Sequence, residues 1–327
     1  MKNILVTGGA GYIGSHTVRA LTTANYNPII FDNMSEGHEA SVKGYTLIKG
    51  DLLNPGDLDK AFKTYKIDGV VHFAAFALVG VSMSEPLTYY RNNVQGTLNL
   101  LEAMKNAGVY QIVFSSTCAT YGEPDIVPIT EQVITKPINP YGETKLAVEK
   151  MLKWCDSAYG IKYVCPRYFN AAGAMPDGSI GEDHRIETHL IPLIYRNIIN
   201  NTRSKVFGND YATPDGSCIR DYIHVLDLAD AHVKALQYLQ NGGVSMSVNL
   251  GTEHGASVFE IIGAAEKASG REVKYDIAPR RAGDPPKLVA DASLAHERLG
   301  WSATRSLDEI MRDAWAWHET HPNGYGC

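Results

Sequence analysis

The chain has 327 residues, of which 44% are hydrophobic and 20% charged, and its formal net charge is −6. That length can bury a large core and divide into two lobes, while the acidic balance argues against a nucleic-acid surface, which needs a basic stripe. No apolar run approaches transmembrane length, no signal peptide precedes the first strand, and the five cysteines (Cys118, Cys155, Cys165, Cys218, Cys327) form no C-x-x-C pair, so a cytoplasmic protein with reduced thiols and no membrane segment is expected.

Ile4-Leu5-Val6 reads as a strand running into Thr7-Gly8-Gly9-Ala10-Gly11-Tyr12-Ile13-Gly14. A strand, a glycine-rich turn and a helix in that order suit a phosphate. Glycine lets the backbone approach the ligand, and the helix N-terminus aims free N–H groups and a positive dipole end at it. Gly9, Gly11 and Gly14 fit a G-x-G-x-x-G register, and Gly8, Gly11 and Gly14 fit G-x-x-G-x-x-G. Such a motif is weak alone, but its context agrees. A helix is predicted from Ser15 to about Ala24, followed by a strand, Pro28–Phe31, that ends in Asp32. A carboxylate there can hold the adenosine ribose hydroxyls. Asn33 follows, and no Arg or Lys stands before Lys43, which favours NAD over NADP.

Strand-like and helical patterns then alternate, the mark of a parallel sheet covered on both faces. Thr46-Leu47-Ile48 leads to Asp51 and Leu52, where a carboxylate at the strand end can reach the adenine. Gly69–Phe73 is the fourth strand, followed by Ala74-Ala75, small enough for close approach of a cofactor. A helix from Pro86 carries Asn92, Val94, Leu98, Leu101 and Met104, the last four at helical spacing. Gln111–Phe114 is a strand ending in Ser115-Ser116-Thr117, and after a proline-rich loop a helix spans Tyr141–Tyr159 with Gly160 closing it. Tyr163–Cys165 is the sixth strand. Beyond Tyr168 the pattern loosens, which sets a lobe boundary there. Helices follow near Leu190–Ile199, Leu228–Leu239, Val258–Ser269 and Leu307–His318, with Asp227 and Ser257 as N-caps. The histidines show no metal signature, and His318 and His321 are expected to face solvent.

Two Tyr-x-x-x-Lys pairs exist. Tyr45 and Lys49 lie on a predicted strand, where residues four apart are roughly 13 Å apart, too far to act together. Tyr141 and Lys145 lie on a predicted helix, where such residues are neighbours on one face. An ammonium beside a phenol lowers its pKa from roughly 10 and makes Tyr141 a general base or acid.

Together these stretches resemble the extended short-chain dehydrogenase/reductase family over nearly the whole chain, and within it the UDP-glucose 4-epimerases. The shared segments are Thr7 to Gly14, Asp32-Asn33, Tyr141-Gly142 with Thr144-Lys145, Arg167-Tyr168-Phe169-Asn170, Phe207 to Tyr211, Arg220 to Val225, Arg281-Ala282-Gly283-Asp284 and His321 to Tyr325. The resemblance implies an α/β fold: a Rossmann-type doubly wound parallel sheet with a smaller mixed α/β C-terminal substrate lobe. Residues 1–168 would form the NAD-binding domain and 169–327 the nucleotide-sugar-binding lobe, with a segment near 220–240 packing back on the first. It further implies NAD as cofactor, held by Gly8, Gly11, Tyr12, Ile13, Gly14, Asp32, Asn33, Asp51, Leu52, Phe73, Ala74, Ala75, Asn92, Ser115, Tyr141, Lys145 and Tyr168.

The implied substrates are UDP-glucose and UDP-galactose. Tyr141 would take the proton of the sugar 4-hydroxyl as hydride leaves C4, and the 4-keto sugar would turn and be reduced on its other face. Lys145 would tune Tyr141 and grip the nicotinamide ribose, and Thr117, often Ser in these epimerases, would bond the same hydroxyl. Since the chain is acidic, the diphosphate needs local positive charge, and Arg220 and Arg281 supply guanidinium forks that match it. Asn170, His189 (in place of a more usual Asn) and the backbone at Leu190 would complete that grip. Asp284 would hold the uridine ribose and Phe207 would flank the uracil. Leu288 would wall the sugar, where a large Tyr goes with plain hexoses and small residues with N-acetyl tolerance. Phe73-Ala74-Ala75-Phe76-Ala77 stands where many relatives read Phe-Ala-Gly-Leu-Lys, so one lysine contact to the cofactor is missing.

The alternatives are a UDP-GlcNAc/UDP-GalNAc or UDP-pentose 4-epimerase, a UDP-sugar decarboxylase, a 4,6-dehydratase or a non-catalytic NAD-binding protein. The dehydratase needs an acid/base pair after the active-site Thr, where Cys118-Ala119 stand. The non-catalytic reading is opposed by the retained Tyr141/Lys145 pair. A homodimer is implied through two helices per subunit, one bearing Val94, Leu98, Leu101 and Met104, the other Leu146, Met151, Leu152 and Cys155.

Overall fold

Residues 1–281 and 285–326 are described by a computed structural model. The first half alternates as expected: β1 (Lys2–Thr7), α1 (Tyr12–Thr23), β2 (Tyr26–Asp32), β3 (Thr46–Lys49), α2 (Pro55–Thr64) and β4 (Ile67–His72). A helical stretch follows, made of α3 (Val79–Ser84), α4 (Pro86–Tyr89), a π turn (Tyr90–Gln95) and α5 (Gly96–Ala107). Next come β5 (Gln111–Phe114), β6 (Ser116–Thr117), α6 (Pro140–Tyr159) and β7 (Lys162–Tyr168). The second half contains β8 (Asn170–Ala172), α7 (Leu190–Asn200), β9 (Ser204–Phe207), β10 (Ile219–His224), α8 (Val225–Gln240) and β11 (Met246–Leu250). It ends with β12 (Gly255–Ser257), α9 (Val258–Ser269), β13 (Tyr275–Ala278), β14 (Lys287–Leu288), α10 (Ser293–Leu299) and α11 (Leu307–Thr320).

The strands of the main sheet run in the order β11-β7-β5-β4-β1-β2-β3, all parallel, with β6 pairing β7. Alternate residues of each strand serve opposite faces. Ile4, Val6, Ile30 and Val71 meet Val18 and Leu21 of α1 and Leu228 and Leu236 of α8 on one side. Leu5, Ile29 and Val70 meet Leu58 of α2, Leu100 of α5 and Leu152 of α6 on the other. This is why the strands read as continuous apolar runs. The order reverses at β1, whose neighbours are β2 and β4. A crevice opens at the carboxyl ends of the strands at such a switch point, and the glycine loop lies there.

After β7 the chain leaves this sheet and returns to it in α8 and β11, and Trp301 beyond α10 is buried in the same core. A second core joins Ile191, Ile194 and Tyr195 of α7, Ile261 and Ala265 of α9, and Ile310, Met311 and Ala314 of α11. Strand β10 connects the two regions, pairing with β8 at Tyr222–His224 and with β12 and β14 at its start.

Four local expectations meet a different outcome. The helix from Pro86 passes through the π turn because Asn93 is used elsewhere: its side chain bonds both N and O of Phe76 and the Thr144 hydroxyl, at 2.8, 3.1 and 3.0 Å. Such bulges re-aim a side chain without ending the helix. Asp227 does not cap α8, whose N-cap is His224 accepting from the Leu226 amide. It accepts instead from Thr304 and Arg305. Ser257 does cap α9, in a capping box with Glu260. His318 is 5% exposed, and His321 stacks on Trp317, because the tail folds back and the Tyr325 hydroxyl meets Gly181. The stripe residues Leu101, Met104 and Leu152 face their own sheet, while the outer surfaces of these helices expose Leu98 and Trp154.

Candidate active site

The glycine loop is shaped by contacts that exclude side chains. Gly8 has φ +69, and a Cβ there would stand 2.5 Å from the Ala74 amide nitrogen. A Cβ on Gly14 would lie 2.3 Å from the Gly8 carbonyl oxygen, so α1 can pack tightly against the loop only with glycine at that position. No side chain caps α1 at Gly11, and its first turn carries no acid. The first N–H groups of a helix lack intrahelical partners, and here they face the crevice as a cradle for a diphosphate. Asp32 sits buried at the end of β2, accepting from the Ala10 and Met34 amides at 3.0 and 2.9 Å. Burial raises its pKa, and those two amides oppose the shift. A carboxylate has about four acceptor positions, so ribose hydroxyls can still be bound. The Asn33 amide reaches Asp51 across the strand ends at 3.2 Å, and Leu52 packs inward behind them. Phe73 lies against His232, with ring centres 4.7 Å apart, and the amides of Phe73 and Ala74 donate to the Thr7 carbonyl. The loop, the acid and the small residues together fit a dinucleotide.

Across the crevice, α6 presents Tyr141 and Lys145 on one face. Asn139 caps its start through the Gly142 amide, with Pro140 in the first turn. Thr117 at the end of β6 hydrogen-bonds the Tyr141 hydroxyl. Lys145 directs its ammonium to the Ser115 carbonyl at 2.8 Å and lies 5.9 Å from the centre of the Tyr141 ring. Ser115 and Tyr168 share a hydrogen bond of 2.7 Å. Asn92 bonds Asn93, which ties the 73–79 segment to α6. The electrostatics differ from the simple expectation. Burial pushes the Tyr141 phenol well up, with the Thr117 hydrogen bond opposing it, and burial brings the Lys145 ammonium down to about 7. Desolvation of the phenol thus outweighs the hydrogen bond from Thr117.

The predicted substrate residues come from several separate segments. Arg220 and Leu288 are register partners in the parallel β10–β14 pair. Leu288 packs with Cys118, the residue after Thr117, around Phe169 and Ala290. Arg220 acts electrostatically on the same Cys118, whose thiol burial pushes up to about 12. Phe207 at the end of β9 lies 3.9 Å beneath the Arg281 guanidinium. Asn170 pairs with Tyr222 between β8 and β10, and Leu190 opens α7. Asp284 lies outside the described residues.

His189 is the N-cap residue of α7, with its Nδ1 2.8 Å from Glu187 and 3.1 Å from Glu182. Burial lowers its pKa, but the two carboxylates outweigh that and bring it up to about 9. The Asn93 clip and the Glu182 and Glu187 partners of His189 were not read from the sequence. An acid two residues before a helix-capping His was the available signal for Glu187, and nothing local marks Asn93.

Comparison with known proteins adds independent findings. Residues 4–251 match the model of the NAD dependent epimerase/dehydratase family. A UDP-glucose 4-epimerase of Lacticaseibacillus casei is 51% identical over 327 residues, covering 99% of this chain and 98% of that protein. A crystal structure of a UDP-glucose 4-epimerase superposes with a TM-score of 0.97 at 50% identity, covering 99% of each chain. The Brucella ovis UDP-glucose 4-epimerase, solved in complex with NAD, gives 0.94 at 48% identity over 96% of this chain and 98% of that one.

Proposed function

The chain belongs to the NAD dependent epimerase/dehydratase family, and on that premise we propose that it interconverts UDP-glucose and UDP-galactose by inverting C4 of the sugar. The observation that carries this reading is Tyr141 held by the Thr117 hydroxyl, with Lys145 on the same helix face, across the crevice from the glycine loop.

The cofactor is NAD. The α1 N-terminus, Gly8, Gly11, Tyr12, Ile13 and Gly14 hold its diphosphate, Asp32 and Asn33 its adenosine ribose, and Asp51 and Leu52 border the adenine. Phe73, Ala74, Ala75, Asn92, Ser115, Tyr168 and Lys145 border the other end. When bound there, NAD would supply the hydride acceptor for C4 of the sugar. Tyr141 takes the 4-hydroxyl proton and later returns it, Thr117 fixes that hydroxyl, and Lys145 keeps a positive charge behind the phenol. Arg220, Arg281, Asn170, His189 and the Leu190 backbone grip the UDP diphosphate, so the sugar turns about a fixed anchor. The second lobe, built on α7, α9 and α11, thus receives the nucleotide. The direct test is a coupled assay for conversion of UDP-galactose to UDP-glucose. No product in that assay, with turnover of another UDP-sugar, would overturn the substrate assignment.

Leu288 walls the sugar subsite, packed on the same cluster as Cys118 and in register with Arg220. It is bulkier than Ser and shorter than Tyr, so weaker turnover of the N-acetylated pair accompanies the main activity. One such contact is worth about 1–3 kcal/mol of discrimination. Leu288→Ser raises the relative kcat/KM for UDP-GlcNAc and Leu288→Tyr lowers it. Equal ratios in all three proteins would remove Leu288 from the specificity argument.

The chain forms a homodimer through the outer faces of α5 and α6. Leu98 of α5 and Trp154 and Tyr159 of α6 are exposed there, Trp154 at 72%, with Leu87 and Tyr90 exposed on the helical stretch that leads into α5. Light scattering at micromolar protein gives twice the chain mass, and Trp154→Glu shifts it toward one chain. A wild-type mass of one chain would contradict the dimer. No helix among the described residues is long and apolar enough to cross a membrane, and Cys118, Cys155 and Cys165 are reduced thiols. Both suit the cytoplasm.

A further inference from the structure

The segment between β8 and α7 gathers four side chains that sequence spacing alone does not mark: Glu182, His184, Glu187 and His189. Each offers one ligand atom, and these atoms lie within 4.8 Å of one another. Glu182 Oε1 stands 3.2 Å from His184 Nε2 and 3.1 Å from His189 Nδ1, and Glu187 Oε1 stands 2.8 Å from His189 Nδ1. We propose that these four residues form a binding site for a divalent transition-metal ion, zinc above all.

The distances suit the ion. Zinc bonds to nitrogen and oxygen of about 2.0–2.2 Å in a tetrahedron place neighbouring ligand atoms roughly 3.3–3.6 Å apart. The three closest separations, 2.8 to 3.2 Å, fall just short of that edge and the other pairs lie within 4.8 Å, so a modest spreading of the side chains would admit the ion. Donor chemistry narrows the choice: paired imidazoles suit zinc, copper and nickel, whereas calcium and magnesium prefer all-oxygen shells. The charge balances as well, because two carboxylates neutralise a divalent ion. Both acids are largely buried, with side-chain exposures of 6% for Glu182 and 2% for Glu187, and buried carboxylates demand a positive partner.

The surroundings already orient the ligands as an outer shell does. Amides of Thr188 and His189 donate to Glu187 Oε1. The Glu182 carbonyl accepts from the Trp317 indole. Between them Asp183 is held by the Tyr325 amide and His38. The His184 ring packs against His189 and meets the edge of Tyr12, with centres 4.9 and 6.5 Å apart. An ion here would cross-link residues 182 to 189 and so fix this loop to the start of α7, where His189 is the N-cap residue.

The test uses the full chain without an affinity tag, stripped with a chelator, and no UDP-sugar, so its result is independent of the proposed activity. Zinc titrated by calorimetry binds at one ion per chain and raises the unfolding temperature. Cobalt in its place gives the visible bands of a tetrahedral site without a near-ultraviolet thiolate band. Glu182→Gln and His184→Asn each weaken zinc binding by at least ~10-fold. If either variant fails to fold, the cobalt spectrum of the wild type decides. Binding unchanged in both variants, a thiolate band that moves the ion to a cysteine, or no stoichiometric zinc would each overturn the proposal and leave an ion-pair cluster only.

Discussion

Replacing Tyr141 by Phe lowers turnover by about 10²–10⁴-fold, the usual worth of general acid–base catalysis, and leaves UDP-sugar binding near the wild-type value. The ring stays and keeps filling its place on α6, so packing changes little. What is lost is the hydroxyl that Thr117 holds. The side chain is well suited to this test because its chemistry and its packing separate. Burial disfavours the phenolate, and the Thr117 hydrogen bond opposes that shift. The effect is therefore expected in kcat, with the dissociation constant of UDP-glucose from calorimetry unchanged. Retention of more than a tenth of wild-type turnover by Tyr141→Phe would refute the assignment of the base.

What could be read from the sequence follows from how local each physical demand is. Phosphate binding at a helix start needs glycines within a few residues, so Gly8 to Gly14 announce themselves. The loop contacts of Gly8 and Gly14 show why a side chain cannot enter. Parallel strands buried on both faces produce unbroken apolar runs, which made β1, β2, β4 and β5 legible. Tyr141 and Lys145 stand one turn apart, and that spacing has a meaning only on a helix. Contacts made across long stretches of chain left no such trace. Arg220 meets Leu288 through strand register, and Glu182 meets His189 through an irregular loop. His318 at the end of an amphipathic helix reads as solvent-facing until the tail covers it. Asp227 before an apolar run reads as a cap, yet its carboxylate serves Thr304 and Arg305, far along the chain.

The largest stability effect is expected behind the catalytic strand, at a pair the resemblance touched only through Arg167. Glu149 lies on α6 one turn beyond Lys145. It accepts from Arg167, Ser116 and Ser247, and Arg167 also donates to the Tyr121 hydroxyl at 2.9 Å. Both charged side chains are under a tenth exposed. Glu149→Ala leaves a buried guanidinium without its counter-charge, at a cost of about 3–5 kcal/mol. At about 2.1 cal/mol/K of unfolding entropy per residue, a chain of 327 residues loses roughly 1.5 °C per kcal/mol, so the unfolding temperature falls by about 4–7 °C. A double change, Glu149→Leu with Arg167→Met, recovers much of this, since apolar replacement of a buried pair is often neutral. Recovery stays incomplete because Ser116 and Tyr121 lose their partners. The exposed Lys49–Glu39 contact, at 61% and 67% side-chain exposure, provides the control: Lys49→Ala costs at most ~1 kcal/mol. Thermal unfolding of the three variants beside the wild type checks the order. If Glu149→Ala were as stable as Lys49→Ala, the buried pair would not be what anchors α6 against the strand that carries Thr117.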